Sequence, residues 1–322
     1  MIQAIESLLQ FDRAGDPQSG LKWTHRTTEK IAVELRELDI HISANTVARI
    51  LRQLDYRLRA NQKRLARRSA PDRDEQFRYI AELRQRFEAQ DQPIVSIDTK
   101  KKELIGNFKN PGRAWSKEPI AVNDHDFRAD AVGRAAPYGI YDPRANCGSL
   151  YIGSSHDTPE FAVDNLERWW LEDGTVRYPN ATELLILADG GGSNGHRPHA
   201  FKYWLQERLC DKHFLVVTVA HYPRGTSKWN PIEHRMFSEI SKNWAGHPLD
   251  TFEILANHAS RTTTTTGLRV RARVVDRAYE KGLRITKAQL TALDIDIMTL
   301  NPLATTPSIP EPESGTLFLR EP

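Results

Sequence analysis

The sequence predicts an α/β protein, a mixed sheet with flanking helices preceded by a small all-α helix-turn-helix domain. Three observations carry that prediction. The first sixty residues place apolar side chains at helical spacing, apolar runs of strand length begin at Pro93, and beyond Gly153 strand and helix patterns alternate one for one.

In the first block, "TTEKIAVELREL" sets Ile31, Leu35 and Leu38 at helical spacing behind a Thr cap, and "SANTVARILRQL" sets Val47, Ile50, Leu51 and Leu54 behind Ser43. Only "DIHI" lies between them. Two short helices on a tight turn, the second exposing Asn45, Thr46, Arg49 and Arg52, fit a helix-turn-helix whose second helix would enter the major groove of DNA. The next residues strengthen that expectation. Between Tyr56 and Pro71 stand Arg57, Arg59, Lys63, Arg64, Arg67 and Arg68 with no acid, a stripe that suits a phosphate backbone or, more plainly, a solvated linker.

The helix "DRDEQFRYIAELRQRFEAQ" then leads into "PIVSID", a buried strand whose Ser96 and Asp98 share a face by the period of two. A loop rich in Gly, Pro and charge follows over roughly 106–136. "YGIYDPRANCGSLYIGSS" reads as two strands around a turn containing Pro143 and Asn146. "TPEFAVDNLERWWLEDG" opens with Thr158 as cap and Pro159 at the first helical position, so it is a helix ending near Gly174, with Trp169 and Trp170 as packing residues. After it come the strand "ELLILAD", the helix "PHAFKYWLQERLC", the strand "FLVVTVA" and the helix "PIEHRMFSEISKNW". The order β, β, β, α, β, α, β, α is that of an RNase H-like fold. Right-handed crossovers then set the strand ending in Asp189 beside the one carrying Asp98.

The stretch "LILADGGGSNG" admits two readings. Gly190, Gly192 and Gly195 form a G-x-G-x-x-G between a strand and a helix, as in a dinucleotide site. That site needs an acid at the end of the next strand for the ribose hydroxyls, and "FLVVTVAHYP" offers Ala220, His221 and Tyr222 there. In the other reading Asp189 is a metal ligand at a strand end. Asp98 on the first strand and Glu233 near the start of the last helix supply partners, and hard divalent ions take oxygen ligands of this kind. Each acid has a plainer explanation too: Asp189-Gly190 as a turn, Asp98 as a strand end, Glu233 as the glutamate of a capping box opened by Asn230.

The blocks "VSIDTKKKELIGNFKN", "YPNATELLILADGGGSNG" and "HYPRGTSKWNPIEHRMFSEISKNW" closely resemble the Rhodopirellula-type DDE transposases of bacterial insertion sequences, and "NPIE" is similar to the third-acid motif of mariner-like transposases. The resemblance runs from about Leu21 to about Leu290. It implies that Asp98, Asp189 and Glu233 are the catalytic triad and hold two Mg²⁺ or Mn²⁺ ions. The implied reaction is hydrolysis of DNA phosphodiesters at element ends, then strand transfer into target DNA. Lys100 and Lys101, with Lys102 beyond them, would hold phosphates near those acids. The implied partners are double-stranded DNA and further copies of the chain, with no small-molecule substrate. The domains expected are a helix-turn-helix DNA-binding domain over 1–60, a basic linker and helix over 61–92, an RNase H-like DDE catalytic domain over 93–298 and a disordered tail over 299–322. The alternative from another class is a truncated, catalytically inactive remnant that acts as a DNA-binding protein or repressor.

Composition excludes other classes. The 322 residues carry 45 Lys and Arg against 42 Asp and Glu, a net charge of +3, and no apolar run approaches the roughly 18 residues that span a bilayer. The two cysteines, Cys147 and Cys210, form no C-x-x-C, so neither a disulfide framework nor a zinc finger is indicated. A cytoplasmic, DNA-associated protein is the expectation.

Overall fold

The computed structural model describes residues 2–11, 14–15, 22–23, 27–56, 73–195, 199–223, 225–298 and 316–319, with the backbone alone for 10–11, 14–15, 22–23, 295–298 and 316–319. The chain divides into two compact units, Met1–Leu65 and Ala66–Pro322. No described helix is long and apolar enough to cross a membrane.

The first unit contains α1 (Ile2–Phe11), a two-residue ladder of β1 (Ala14–Gly15) and β2 (Lys22–Trp23), α2 (Thr28–Glu37) and α3 (Ala44–Gln53). Side-chain caps start the last two helices: Thr27 Oγ1 accepts from Lys30 N at 3.2 Å, and Ser43 Oγ accepts from Thr46 N at 3.3 Å. Both helices end at an aspartate in the left-handed region, Asp39 (φ 62°) and Asp55 (φ 63°). Ile5 and Leu9 of α1 pack with Ile31, Ala32 and Leu35 of α2 and Val47 and Ile50 of α3. Two expectations change here. Helix α1 and the short ladder join the helical pair, so the unit is neither a bare hairpin nor strictly all-α. Leu38 is the C-cap of α2 and 54% exposed. Ile40 and Ile42 of the connection pack partly buried against the core in its stead.

The second unit is built on one mixed sheet. Its strands are β3 (Ile94–Thr99), β4 (Glu103–Ile105), β5 (Gly133–Asp142), β6 (Cys147–Gly153), β7 (Glu183–Asp189), β8 (Val216–Tyr222), β9 (Arg269–Val275), β10 (Ile295–Met298) and β11 (Thr316–Leu319), in the order β10-β11-β8-β7-β3-β5-β6-β9 with β4 on β5. Central β3 runs antiparallel to β5 and parallel to β7, which is parallel to β8. The meander followed by parallel crossovers is the RNase H-like succession read from the sequence.

The helices are α4 (Arg73–Ala89), α5 (Pro159–Trp169), α6 (Thr175–Arg177), α7 (His199–Leu205), α8 (Asp211–His213), α9 (Ser238–Asn243), α10 (Phe252–Ser260) and α11 (Lys287–Thr291). A five-residue π turn joins α5 to α6 (Trp170–Gly174), another joins α7 to α8 (Gln206–Cys210), and a third, Glu233–Phe237, opens α9. On one face of the sheet Val95, Ile97, Leu184, Ile186 and Ala188 pack under α5 and α7. On the other face α4 covers the parallel half, setting Ile80, Leu83 and Phe87 against Ile94, Leu185, Leu187 and Ala220. The third π turn and helices α9 and α10 cover the meander half. Each such large apolar side chain, fully buried, contributes roughly 1.5–3 kcal/mol.

Three boundaries move as a result. Helix α4, expected within a linker over 61–92, belongs to the sheet unit because its apolar stripe is part of that core. Strand β5 starts at Gly133, inside the stretch expected as loop. In the tail expected to be disordered over 299–322, Thr316–Leu319 pairs antiparallel with β8, as the strand-forming "TLFL" run after the Pro-rich segment allows.

Candidate active site

Two of the acids are aligned by strand register. Ser96 of β3 pairs with Leu187 of β7, so two residues further along each strand Asp98 and Asp189 leave the same face at the same end of adjacent parallel strands. The third arrives from the far side of the chain. Asn230 is fully buried and its amide ties the Glu233 segment to both strands: Nδ2 donates to Ile97 O at 3.2 Å and to Asp189 Oδ1 at 3.4 Å, while Oδ1 accepts from the Ser96 hydroxyl. The same Ser96 Oγ accepts from Ile232 N at 3.1 Å. Glu233 N donates to the Asn230 carbonyl at 3.1 Å. Asn230 therefore cross-links three elements, where the capping-box reading would have turned its side chain onto its own helix.

A glycine permits the close approach. Gly139 of β5 is paired with Asp98, and a Cβ there would lie 2.5 Å from the Phe237 ring and 2.8 Å from Ile232 Cδ1. The π turn with Glu233 thus sits directly on the strand next to Asp98. Gly148 of β6 meets Met236 Sδ in the same way at 2.5 Å.

The acids repel one another. Asp98 is pushed up to about 8, first by burial and then by the charges of Asp189 and Glu233; a 2.7 Å hydrogen bond from Thr99 N opposes this only in part. Asp189 is raised by burial and by Glu233, against the stabilising amide of Asn230. No Lys or Arg side chain makes an ion pair with any of the three among the described residues.

Asp98 and Asp189 line a cleft of about 770 Å³ with Lys100, Lys101, Lys102, Asp157 and the glycine loop 190–195. Within that loop Gly192 takes φ +68°, open to glycine, and Asn194 anchors the far end by accepting from Tyr138 OH at 3.0 Å. His221 Nε2 lies 2.9 Å from Asn194 O. The G-x-G-x-x-G is therefore the wall of an acid-lined cleft. Asp157 enters from the loop after β6, held by Thr99 Oγ1 at 3.3 Å and Lys102 Nζ at 3.5 Å. Neither it nor the Ser96–Asn230 pair carried a sequence signal, because each depends on partners 58 or more residues away.

The other candidate residues are dispersed. Asn45, Arg49 and Arg52 are exposed on α3, and the Thr46 hydroxyl lies 3.1 Å from Ser43 Oγ. The stripe Arg57, Arg59, Lys63, Arg64, Arg67 and Arg68 lies outside the described residues. Lys101 is exposed, whereas Lys100 is committed to Glu103 at 2.9 Å and to the Trp244 ring, 4.4 Å beneath its ammonium.

Among the described residues no three His, Cys, Asp or Glu side chains stand together as a group that could hold a metal ion. The donor set nonetheless suits a hard divalent cation. Mg²⁺ is commonly held by one or two carboxylates and completes its shell with water and substrate phosphate, and acids that repel one another to this degree are relieved by a cation between them.

The solved structures to which the chain shows similarity include complexes of the Mos1 transposase. The paired-end complex with the left transposon end is 15% identical over 79% of this chain and 68% of that one, with a TM-score of 0.43. The Mos1 strand transfer complex is 13% identical over 80% and 68%, at 0.41. The Mos1 mariner paired-end complex with Mn is 15% identical over 78% and 67%, at 0.42. No curated protein matches the chain. The Rhodopirellula transposase DDE domain pattern matches residues 4–303. With nearly its whole length matched, the chain belongs to that transposase family.

Proposed function

We propose that the chain is a metal-dependent DDE transposase that hydrolyses a phosphodiester at an element end and joins the freed 3′ hydroxyl to target DNA in the same cleft. The observation that carries this reading is that Asp98 and Asp189 line a cleft walled by glycine backbone and lysine, with Glu233 near enough to raise both, and that none of the three has a cationic ion-pair partner among the described residues. These three acids would hold Mg²⁺ or Mn²⁺, two ions per site. Such ions, when bound, activate an attacking oxygen and stabilise the leaving oxygen of a phosphodiester.

The chain's own groups do the positioning. Asn230 fixes the Asp189 carboxylate, Ser96 fixes Asn230 and the start of the Glu233 segment, and the side-chain-free loop 190–192 leaves room for a phosphate against backbone N–H groups. Lys101 supplies a positive charge at the cleft wall. Double-stranded DNA of element ends and target is the partner on this reading, with Asn45 and Arg49 exposed on α3 toward a groove and further copies of the chain completing the assembly.

The test is cleavage of end-bearing plasmid DNA in Mn²⁺. Wild-type protein should cut and join, and Asp189→Asn should bind DNA as wild type does and cut nothing. A mutant that cuts at the wild-type rate sinks the assignment. Wild-type protein that binds DNA and never cuts it is a remnant, and the transposase reading is then wrong.

A further inference from the structure

A second basic cleft adjoins the acid site. It encloses about 330 Å³ and shares Lys101 and Lys102 with the acid-lined cleft, so the short segment after β3 is a wall common to both. Its other basic residues are Lys109 from the loop after β4, Arg128 from the 3₁₀ turn Arg128–Asp130, and Arg134 on β5.

The charges here are not consumed by the fold. Of the two acids that line the cleft, Glu103 is taken by Lys100 at 2.9 Å, leaving Asp126. Lys102 is paired with Asp157 on its other side at 3.5 Å. Lys101, Lys109, Arg128 and Arg134 are all exposed and make no ion pair with another described residue. Four cations with no ion pair among the described residues outnumber the one remaining acid, Asp126, around this depression, and an anionic occupant offsets their mutual repulsion. The lining is long, flexible and charged, which suits a polyanion better than a small apolar ligand.

We propose that this cleft carries the phosphate backbone of the DNA strand as it leaves the acid site, with Lys109, Arg128 and Arg134 as phosphate contacts beyond Lys101. The proposal rests on the reading of the acid site as a DNA-cutting centre, because continuity through Lys101 and Lys102 is what favours DNA over an acidic peptide. Contacts of this kind are indifferent to sequence and register as salt dependence.

The experiment uses the full chain without divalent metal and a fluorescein-labelled duplex of arbitrary sequence, with anisotropy read across a NaCl series. Replacing Lys109, Arg128 and Arg134 together by Ala should weaken binding and lower the slope of log affinity against log salt by about 2 to 3, since each lost phosphate contact removes roughly 0.9. The melting temperature should not move. A control that replaces Lys281 and Arg284, which line a separate pocket, should change the slope by less. An unchanged slope in the triple variant overturns the proposal, as does polyglutamate that competes for the cleft as well as DNA does. Binding is measured apart from cleavage, so a cutting Asp189→Asn protein would refute the catalytic assignment while leaving this result to stand or fall alone.

Discussion

Two groups of acids in the sheet unit, one buried and one half-buried, make opposite uses of the same residue type. Asp142, at the far end of β5, has a fully buried side chain, and every lone pair is answered: backbone N–H of Arg144 at 3.0 Å and of Ala145 at 2.9 Å, Tyr178 OH at 2.9 Å, and the Arg177 guanidinium at 3.1 Å. Asp164 and Glu167 on α5 also have cationic partners, Arg277 and Arg208 with the Tyr279 hydroxyl for Asp164, and Lys212, Arg208 and His213 for Glu167, although Asp164 Oδ1 accepts no hydrogen bond. Glu167 is lowered despite its burial, because Lys212, His213 and Arg208 outweigh it. Asp98 and Asp189 instead face each other and Glu233. What sets the candidate site apart is therefore not burial but the sign of the neighbours.

The largest expected effect comes from Asp98→Asn, which should reduce cleavage to the level of a metal-free control. It should also stabilise the metal-free protein at high pH. Asp98 is raised from 3.8 to about 8 in the fold, so its neutral form favours the native state. That contribution is complete below pH 4 and is lost as pH rises toward about 8. Between pH 5 and 9 the melting temperature of Asp98→Asn should thus pull progressively above that of wild type, and Mn²⁺ should raise wild type more than the mutant. A constant difference across the series would mean that the acids do not repel as described.

The opposite result is expected where the acids are answered. Arg177→Met strips the guanidinium from Asp142 and should cost about 3 kcal/mol, as losing one partner of a buried pair does. For a unit of this size that is a fall of roughly 6–12 °C in melting temperature. Cleavage per folded molecule should stay at wild-type level, and a specific loss of cleavage would erase the distinction between the two groups.

The sequence made part of this contrast legible. "PIVSID", "ELLILAD" and "FLVVTVA" are continuous apolar runs because those strands are covered on both faces, and their order alone set Asp98 beside Asp189. Strand β9 had a readable signal, the alternation "RVRARVV" that exposes Arg269, Arg271 and Arg273 and turns Val270 inward. Its parallel pairing with β6 after a long excursion was not readable. The three π turns were invisible, since one extra residue per turn leaves the apolar spacing nearly intact. Ser96, Asn230 and Gly139 were invisible as site residues for a different reason. Their roles are contacts between segments at least 41 residues apart, and Ser, Asn and Gly have ordinary local explanations.

Gly139→Ala isolates position from charge within the repelling group. The new methyl would meet the Phe237 ring and Ile232, both buried in the core beneath α9, so the π turn must lift and carry Glu233 away from Asp98. A displacement of about 1 Å can cost on the order of a hundredfold in rate, and a loss between tenfold and that figure is expected for DNA cleavage. Burial of Asp98 and the Asp189 charge remain, so the pH dependence of metal-free stability should persist, weakened by the wider separation from Glu233, where Asp98→Asn abolishes it. Gly148→Ala is the milder companion. Its methyl meets Met236, whose thioether has rotamers to spare, and cleavage should fall less than in Gly139→Ala. Equal losses in the two variants would point to general softening of the sheet, and a wild-type rate in Gly139→Ala would show that the acid site tolerates the displacement that this glycine prevents.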